Sequence, residues 1–336
     1  MSELDSKALW EQLKEEAEER FNFQVLKCTP IQRGWLNQKW KMETNKGTFL
    51  IKQYNRERMK RYDLQTVKSA LHIQNYSFLN GIPCPELLTH DGEVLHKSKY
   101  GELFTVMRFM EGDLIKAGTA TTQQMESLGA WIGKLHNVFN DGHLPPKTET
   151  VFQLPTIGER LAYWDSVLSH CEEEHYNHLK PAFQLQKEAT STLDDSDFKS
   201  LTPGWCHRDL WVDNLLFSTN EVKAILDYDR MNFDFIELDL GRIIISTCLL
   251  NGKLNQEAVQ AFVKGYRDTN KLSIEKLIVS LKLVWYMEST WWVSIIPHEG
   301  EPPKRFKEEI NWLAKNLGNL EDILLEKRSK NIHVLK

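Results

Sequence analysis

A chain of 336 residues is long enough for two cores, because a single core stops growing at about 250–300 residues. With 41% hydrophobic and 26% charged residues it reads as an ordinary globular protein, without low-complexity tracts or internal repeats. A net charge of -5 and the lack of any clustered Lys/Arg excess argue against a nucleic-acid binder.

Cys28, Cys84, Cys171, Cys206 and Cys248 are scattered, with no CxxC pair, which fits a reducing compartment. The acidic start "MSELDSKALWEQLKEEAEER" has none of the pattern of a secretory signal. The stretch "LVWYMESTWWVSII" is too short to span a bilayer and carries Glu288. A cytoplasmic protein with no membrane partner is therefore expected, its oligomeric state left open.

Leu9, Leu13 and Ala17 repeat at helical spacing and predict an amphipathic helix over 5–20. Strand signals follow. In "QKWKMETNKGTFLIKQY" the alternation of Trp40 and Met42 against Phe49 and Ile51 around Asn45-Lys46-Gly47 predicts a hairpin, with Gly47 where a positive φ is wanted. A helix is expected near 64–79, ended by "GIPCPELL", and a strand pair at 93–97 and 102–109. After "FMEGD" the pattern changes to long helices at 122–139, 157–193, 254–267, 273–294 and 303–327, interrupted by a β-like island at 205–229. The expected fold class is α+β: a small antiparallel lobe over 1–110 and a larger helical lobe over 111–336, with a cleft suited to a ligand.

The island holds "WCHRDLWVDNLLF". Its spacing is His207-x-Asp209-x4-Asn214, followed after the apolar "KAIL" by Asp227 and Asp229. "HRDLWVDN" matches every fixed position of the HRDLxxxN catalytic loop of kinases, which is followed downstream by a metal-holding Asp. Phosphoryl transfer explains these residue types. Nucleotide phosphates need divalent cations, and hard cations take oxygen ligands, which Asn214 and Asp227 supply. Asp209 would accept the proton of an attacking hydroxyl, while His207 braces the loop. Asp213 and Asp229 are open between a second metal contact, substrate recognition and solvation. A lysine on a strand should meet the α- and β-phosphates, and "FLIK" offers Lys52. "RGWLNQKW" would be the nucleotide turn. "FTVMRFMEG" would be the strand whose backbone meets adenine, with Met107 and Phe109 as its contacts. The glycines of "GAWIGKL" suit close helix packing better than a phosphate loop. Trp285, Trp291, Trp292 and Trp312 fall on helical faces and read as core more readily than as a ligand platform.

Over roughly residues 25–325 the chain resembles the aminoglycoside phosphotransferase and choline kinase superfamily, small-molecule kinases of protein-kinase-like fold. "GWLNQKW" resembles its GxxN turn, "GIPCPELL" its GIPVP boundary, "LGAWIGKLH" its LGxxLxxLH helix, and "DYDRMNFDFIELDLGRII" its metal loop with a trailing DL. The catalytic string is most similar to type II homoserine kinases, and other segments resemble the CotS-like spore-coat branch.

The resemblance implies that Asp209 is the catalytic base, Asn214 and Asp227 hold magnesium, and Lys52, with Gly34 and Asn37 of the turn, anchors ATP. It also implies that Asp239 is a buried support of the loop beside His207 and Asp229. The implied function is ATP- and Mg2+-dependent phosphorylation of a small-molecule hydroxyl on a homoserine-like compound, amino alcohol, sugar or aminoglycoside. The alternative is a non-catalytic coat or scaffold protein. The chain departs from the pattern in three places. Arg208 stands where many small-molecule kinases have Gly. "DYD" replaces DFG with no APE segment after it, which disfavours peptide substrates. The 68–81 stretch has no acid to pair Lys52, and His72 stands about where one is expected.

Overall fold

The computed structural model describes residues 3–32, 37–173, 176–294 and 303–325. The chain packs as two units, Met1–Asp113 with Lys223–Met231, and Leu114–Val222 with Asn232–Lys336.

The first unit opens on α1 (Glu3–Phe21), followed by β1 (Val25–Ile31), β2 (Gln38–Thr44) and β3 (Gly47–Gln53). α2 (Arg56–Met59), α3 (Leu64–Leu79), β4 (His96–Lys97) and β5 (Leu103–Arg108) complete it. The sheet is antiparallel in the order β1-β2-β3-β5-β4. Its alternation buries Trp40, Met42, Phe49 and Ile51 against Leu13 and Ala17 of α1, which carry the helical period in the sequence, and against Trp10, while Leu9 packs at the margin only partly buried. The hairpin closes with Thr44 opposite Gly47, which sits at φ +123. Asp63 caps α3 by accepting the N–H groups of Gln65 and Thr66. The strand expected at 93–97 shrinks to two residues, because Asp91 and Gly92 turn the chain with positive φ between bridged His90 and Glu93.

The second unit begins with α4 (Thr122–Phe139), whose Thr121 and Gln124 form a capping box. Where one helix was expected over 157–193 there are two, α5 (Ile157–Glu173) and α6 (Lys180–Ser191). Pro181 lies in the first turn of α6, where its missing N–H is tolerated, and cannot continue a helix from upstream. The strands β6 (Pro203–Cys206), β7 (Leu215–Phe217) and β9 (Asn232–Phe235) follow, with β6 paired to β9, while β8 (Val222–Ile225) passes at Lys223 into the part of the chain that belongs to the first unit.

After them comes α7 (Glu237–Cys248), a helix the sequence did not announce. All twelve of its residues are buried, so it has no polar face to produce a period. α8 (Gln256–Tyr266) and α9 (Ile274–Trp292) match expectation, whereas the last expected helix splits into α10 (Lys304–Asn316) and α11 (Leu320–Leu325) around a 3-10 turn at 317–319 containing Gly318. No helix among the described residues is long and apolar enough to cross a membrane.

The glycines of "GAWIGKL" do serve packing. A Cβ on Gly129 would lie 2.1 Å from the Phe262 carbonyl oxygen, and one on Gly265 of α8 would lie 2.0 Å from that of Glu126. The α4 and α8 backbones therefore touch. Gly129→Ala should lower stability by about 1–3 kcal/mol through overpacking, although Ala is otherwise the better helix former. Thermal unfolding checks it: a midpoint equal to or above that of the parent would show that the helices separate at no cost.

Candidate active site

In the first unit Lys52 lies near the end of β3 and Tyr54 just past it, and both are buried. Lys52 Nζ donates to Asp227 Oδ1 at 2.8 Å and to Asp229 Oδ2 at 2.5 Å. The Tyr54 hydroxyl donates to the other Asp229 oxygen at 2.9 Å. Burial alone would push the Lys52 ammonium down, but the carboxylates of Asp227 and Asp229 together outweigh it and hold the pKa well above the usual lysine range. Lys52 is a charged group. The loop that carries the two acids is fixed by the Ile225 N–H donating to the Pro83 carbonyl at 2.7 Å and by burial of Tyr228. Asp227 itself takes φ 65 and ψ 63, a left-handed conformation that begins the 3-10 turn 228–230.

His72 is exposed on α3. The acid missing from that helix is thus supplied from the 227–229 loop. Asn37 Oδ1 accepts the Asn55 N–H at 3.1 Å, tying the residue before β2 to the segment after β3. Gly34 lies outside the described residues. Met107 pairs with Leu50, and the Phe109 N–H donates to the Thr48 carbonyl at 3.0 Å. The backbones of both residues are turned toward β3, and the Phe109 donor is already used. On the opposite edge of β5 the Arg108 N–H donates to the Glu86 carbonyl at 2.8 Å.

In the second unit, the catalytic string forms the loop between β6 and β7. Its geometry is set from beneath by Asp239, in the first turn of α7 and fully buried. One Asp239 oxygen accepts the His207 N–H and the other the Arg208 N–H, both at 2.7 Å. His136 Nε2 lies 3.2 Å from the same carboxylate, and its Nδ1 lies 2.9 Å from the Tyr266 hydroxyl. Burial would push the Asp239 carboxyl up, but His136 and the His207 N–H outweigh it and hold it below the usual carboxylate range. An anion is thereby fixed under the loop. His136 is the last residue of "LGAWIGKLH", so that string marks a part of the site whose role its spacing did not reveal.

Arg208 takes φ +64, where side chains are disfavoured, and is held there by its N–H to Asp239 and by Nε donating to Asp234 Oδ2 at 2.7 Å. This accounts for the glycine common at that position. Asn214 Nδ2 donates to the Asp209 carbonyl at 2.8 Å and to Asp209 Oδ2 at 3.0 Å. Asn214 Oδ1 accepts no donor among the described residues. Asp209 is half-buried, and its carboxylate is an acceptor aimed by a neighbouring amide. Asp213 pairs with Arg305, which also binds Glu309 at 2.8 Å and lies over the Phe306 ring at 4.2 Å. Burial pushes the Glu309 carboxyl up to about 7. Trp285 is core, its Nε1 donating to Gln186, and Trp292 stacks on Phe306 at 4.3 Å. Trp291 is exposed, and Trp312 Nε1 donates to the Gly252 carbonyl.

No group of three or more His, Cys, Asp or Glu side chains among the described residues is arranged to hold a metal ion. A structural metal centre is absent there, but magnesium needs only one or two protein oxygens beside nucleotide phosphates. The Asp227 carboxylate in the first unit and Asn214 Oδ1 in the second are each a hard oxygen donor of that kind.

A family model described as "Phosphotransferase enzyme family" matches residues 27–272. The homoserine kinase of Sinorhizobium fredii (strain NBRC 101917 / NGR234) is 22% identical over 248 residues, covering 74% of this chain and 72% of its own. Among solved structures, amicoumacin kinase hAmiN in complex with AMP-PNP, Ca2+ and Ami superposes with a TM-score of 0.60 at 15% identity, covering 92% of this chain and 96% of its own. An aminoglycoside phosphotransferase from Alicyclobacillus acidocaldarius superposes with the same TM-score at 11% identity, covering 89% and 90%. These likenesses establish a protein-kinase-like α+β fold. Since the family match spans well over half of the sequence, this chain belongs to the phosphotransferase enzyme family and is a small-molecule kinase.

Proposed function

We propose that the protein transfers the γ-phosphoryl group of ATP to a hydroxyl of a small metabolite, with homoserine and related amino alcohols as the first candidates. The observation that carries this is the Asp209–Asn214 pair: a half-buried carboxylate aimed by an amide whose own oxygen is left for a cation. The homoserine kinase relatives, matched over about three quarters of the chain, support the acceptor class.

In this reading Asp209 accepts the hydroxyl proton as the acceptor oxygen bonds to phosphorus and the bond to ADP breaks. Lys52 binds the α- and β-phosphates as a permanent ammonium. The segment from Met107 through Phe109 to Met110 meets the adenine edge. Bound with the nucleotide, Mg2+ supplies charge neutralisation on the phosphate oxygens, held by Asn214 Oδ1 and Asp227. Asp239 and His136 keep the loop rigid, so that Asp209 need not be reoriented during the reaction.

The test is a panel of homoserine, amino alcohols, sugars and aminoglycosides with ADP release as the readout. Release with none of them above the ATPase background would remove the proposal. Asp227→Ala addresses the metal directly. Nucleotide at about a hundred times its Kd should stabilise the wild type by about 2.7 kcal/mol with Mg2+, and the variant should lose the Mg2+-dependent part of that gain. Calorimetry showing the same Mg2+ dependence in both proteins would reject Asp227 as a ligand.

A further inference from the structure

We infer that Asp229, braced by Tyr54, is the positioning residue for Lys52, doing from the metal loop what an acid on the small-unit helix would otherwise do. The inference rests on the kinase reading and deepens it. α3 carries no Asp or Glu, and His72 points to solvent. A buried ammonium without a counter-charge is costly, so some carboxylate has to stand in.

Two carboxylates touch Lys52, and their surroundings differ. Both Asp229 oxygens are engaged by buried donors, Oδ2 by the Lys52 ammonium and Oδ1 by the Tyr54 hydroxyl. Each Asp229 oxygen already spends one lone pair on a buried donor, which leaves it the more committed of the two carboxylates. Each of the two gives Lys52 one oxygen, and the Asp227 side chain is the more exposed, at 28% against 17%. Asp227 is therefore the exchangeable partner. When it turns to a cation, Asp229 remains to keep Lys52 charged and pointed.

Lys52, in β3, and Tyr54, just after it, lie two residues apart and grip one carboxylate at both ends. This fixes the direction of Asp229 as well as its distance. The Lys52 ammonium also lies 5.0 Å from the Tyr54 ring centroid, a second attraction in the same triad. α3 contributes indirectly, by packing against the 228–230 turn that carries Asp229. The lysine anchor is thus coupled to the 227–229 loop.

The experiment is a double-mutant cycle on the full-length enzyme with Lys52→Ala and Asp229→Asn, reading Kd and KM for ATP separately from KM for the acceptor. Asp229→Asn should weaken ATP binding by roughly tenfold to a hundredfold, the range of a hydrogen bond to a charged group. The acceptor KM should stay within about twofold. In the Lys52→Ala background the same substitution should cost nothing further, because Asp229 acts only through Lys52. Tyr54→Phe should give a smaller loss in the same parameter, and His72→Ala none.

Wild-type ATP binding by Asp229→Asn, or additive losses in the double variant, would overturn the inference and leave the kinase reading intact. A wild-type protein that binds no nucleotide would overturn both. A purely structural role would lower acceptor and ATP binding together, and that pattern also counts against the inference.

Discussion

Replacing Asp209 with Asn is expected to lower kcat by a factor on the order of a hundred to ten thousand, the range removed with a general base. The substitution keeps the size of the side chain and an oxygen that can accept the Asn214 amide, so the loop should keep its shape. What it loses is the capacity to take up a proton. Lys52, Asp227 and Asp229 are left untouched, and nucleotide affinity should remain within about twofold of the wild type. Kinetics at saturating acceptor, combined with a direct nucleotide titration, separate the two parameters. Wild-type turnover would remove Asp209 from the chemistry. A parallel collapse of nucleotide binding would mean that the carboxylate holds the loop together instead.

That separation is plausible because the loop does not depend on Asp209 for support. Two backbone N–H groups hang from Asp239, Arg208 is tied to Asp234, and the Val212 N–H donates to the Ser246 hydroxyl at 3.0 Å. These supports come from β9 and α7, the region where sequence reasoning was least informative. Asp239 was legible through its place in "DLGR". Its partner His136, a hundred residues upstream, was quoted as part of a motif without a role, because nothing in local spacing says which buried carboxylate a helix histidine meets.

α7 shows the same limit from the packing side. Helical reading depends on a polar face, and a run such as Ile243-Ile244-Ile245 buried all round resembles a core strand as much as a helix. The small unit was more transparent. There the sheet covers a single helix on one face, and each strand writes that burial into a period of two. The anchor for Lys52 lay between these extremes. The lysine was visible at the end of "FLIK", and the lack of an acid on α3 was visible too. The replacement was already in view as the second Asp of "DYD", but pairing across 177 residues is a tertiary fact. Tyr54, two residues from the lysine, offered the one local hint. Met107 and Phe109 show a related limit: which backbone groups of a strand are free depends on the register of its neighbour, and both are turned toward β3.

The second large effect is expected beneath the same loop. Arg242 of α7 donates from Nε and Nη2 to Glu288 Oε1 of α9, at 3.0 and 2.5 Å, and both side chains are buried. Burial would pull the guanidinium down, but Glu288, with Asp209 and Asp239 farther off, keeps its pKa above the ordinary arginine value. Nη1 is already buried without a hydrogen-bond partner. Glu288→Ala would leave the whole cation uncompensated, which should cost about 3–5 kcal/mol. For a unit of this size that corresponds to a fall of about 6–20 °C in Tm. Turnover should drop as well, since Arg242 lies 5.7 Å from the Trp211 ring, two residues from Asp209, and would seek another carboxylate. The double change Arg242→Met with Glu288→Leu should recover much of the lost stability, because removing both charges also removes their desolvation. Calorimetric unfolding of the three variants decides it: a Glu288→Ala protein as stable as its parent, or a double variant worse than the single, would show that the pair is not what holds α7 to α9.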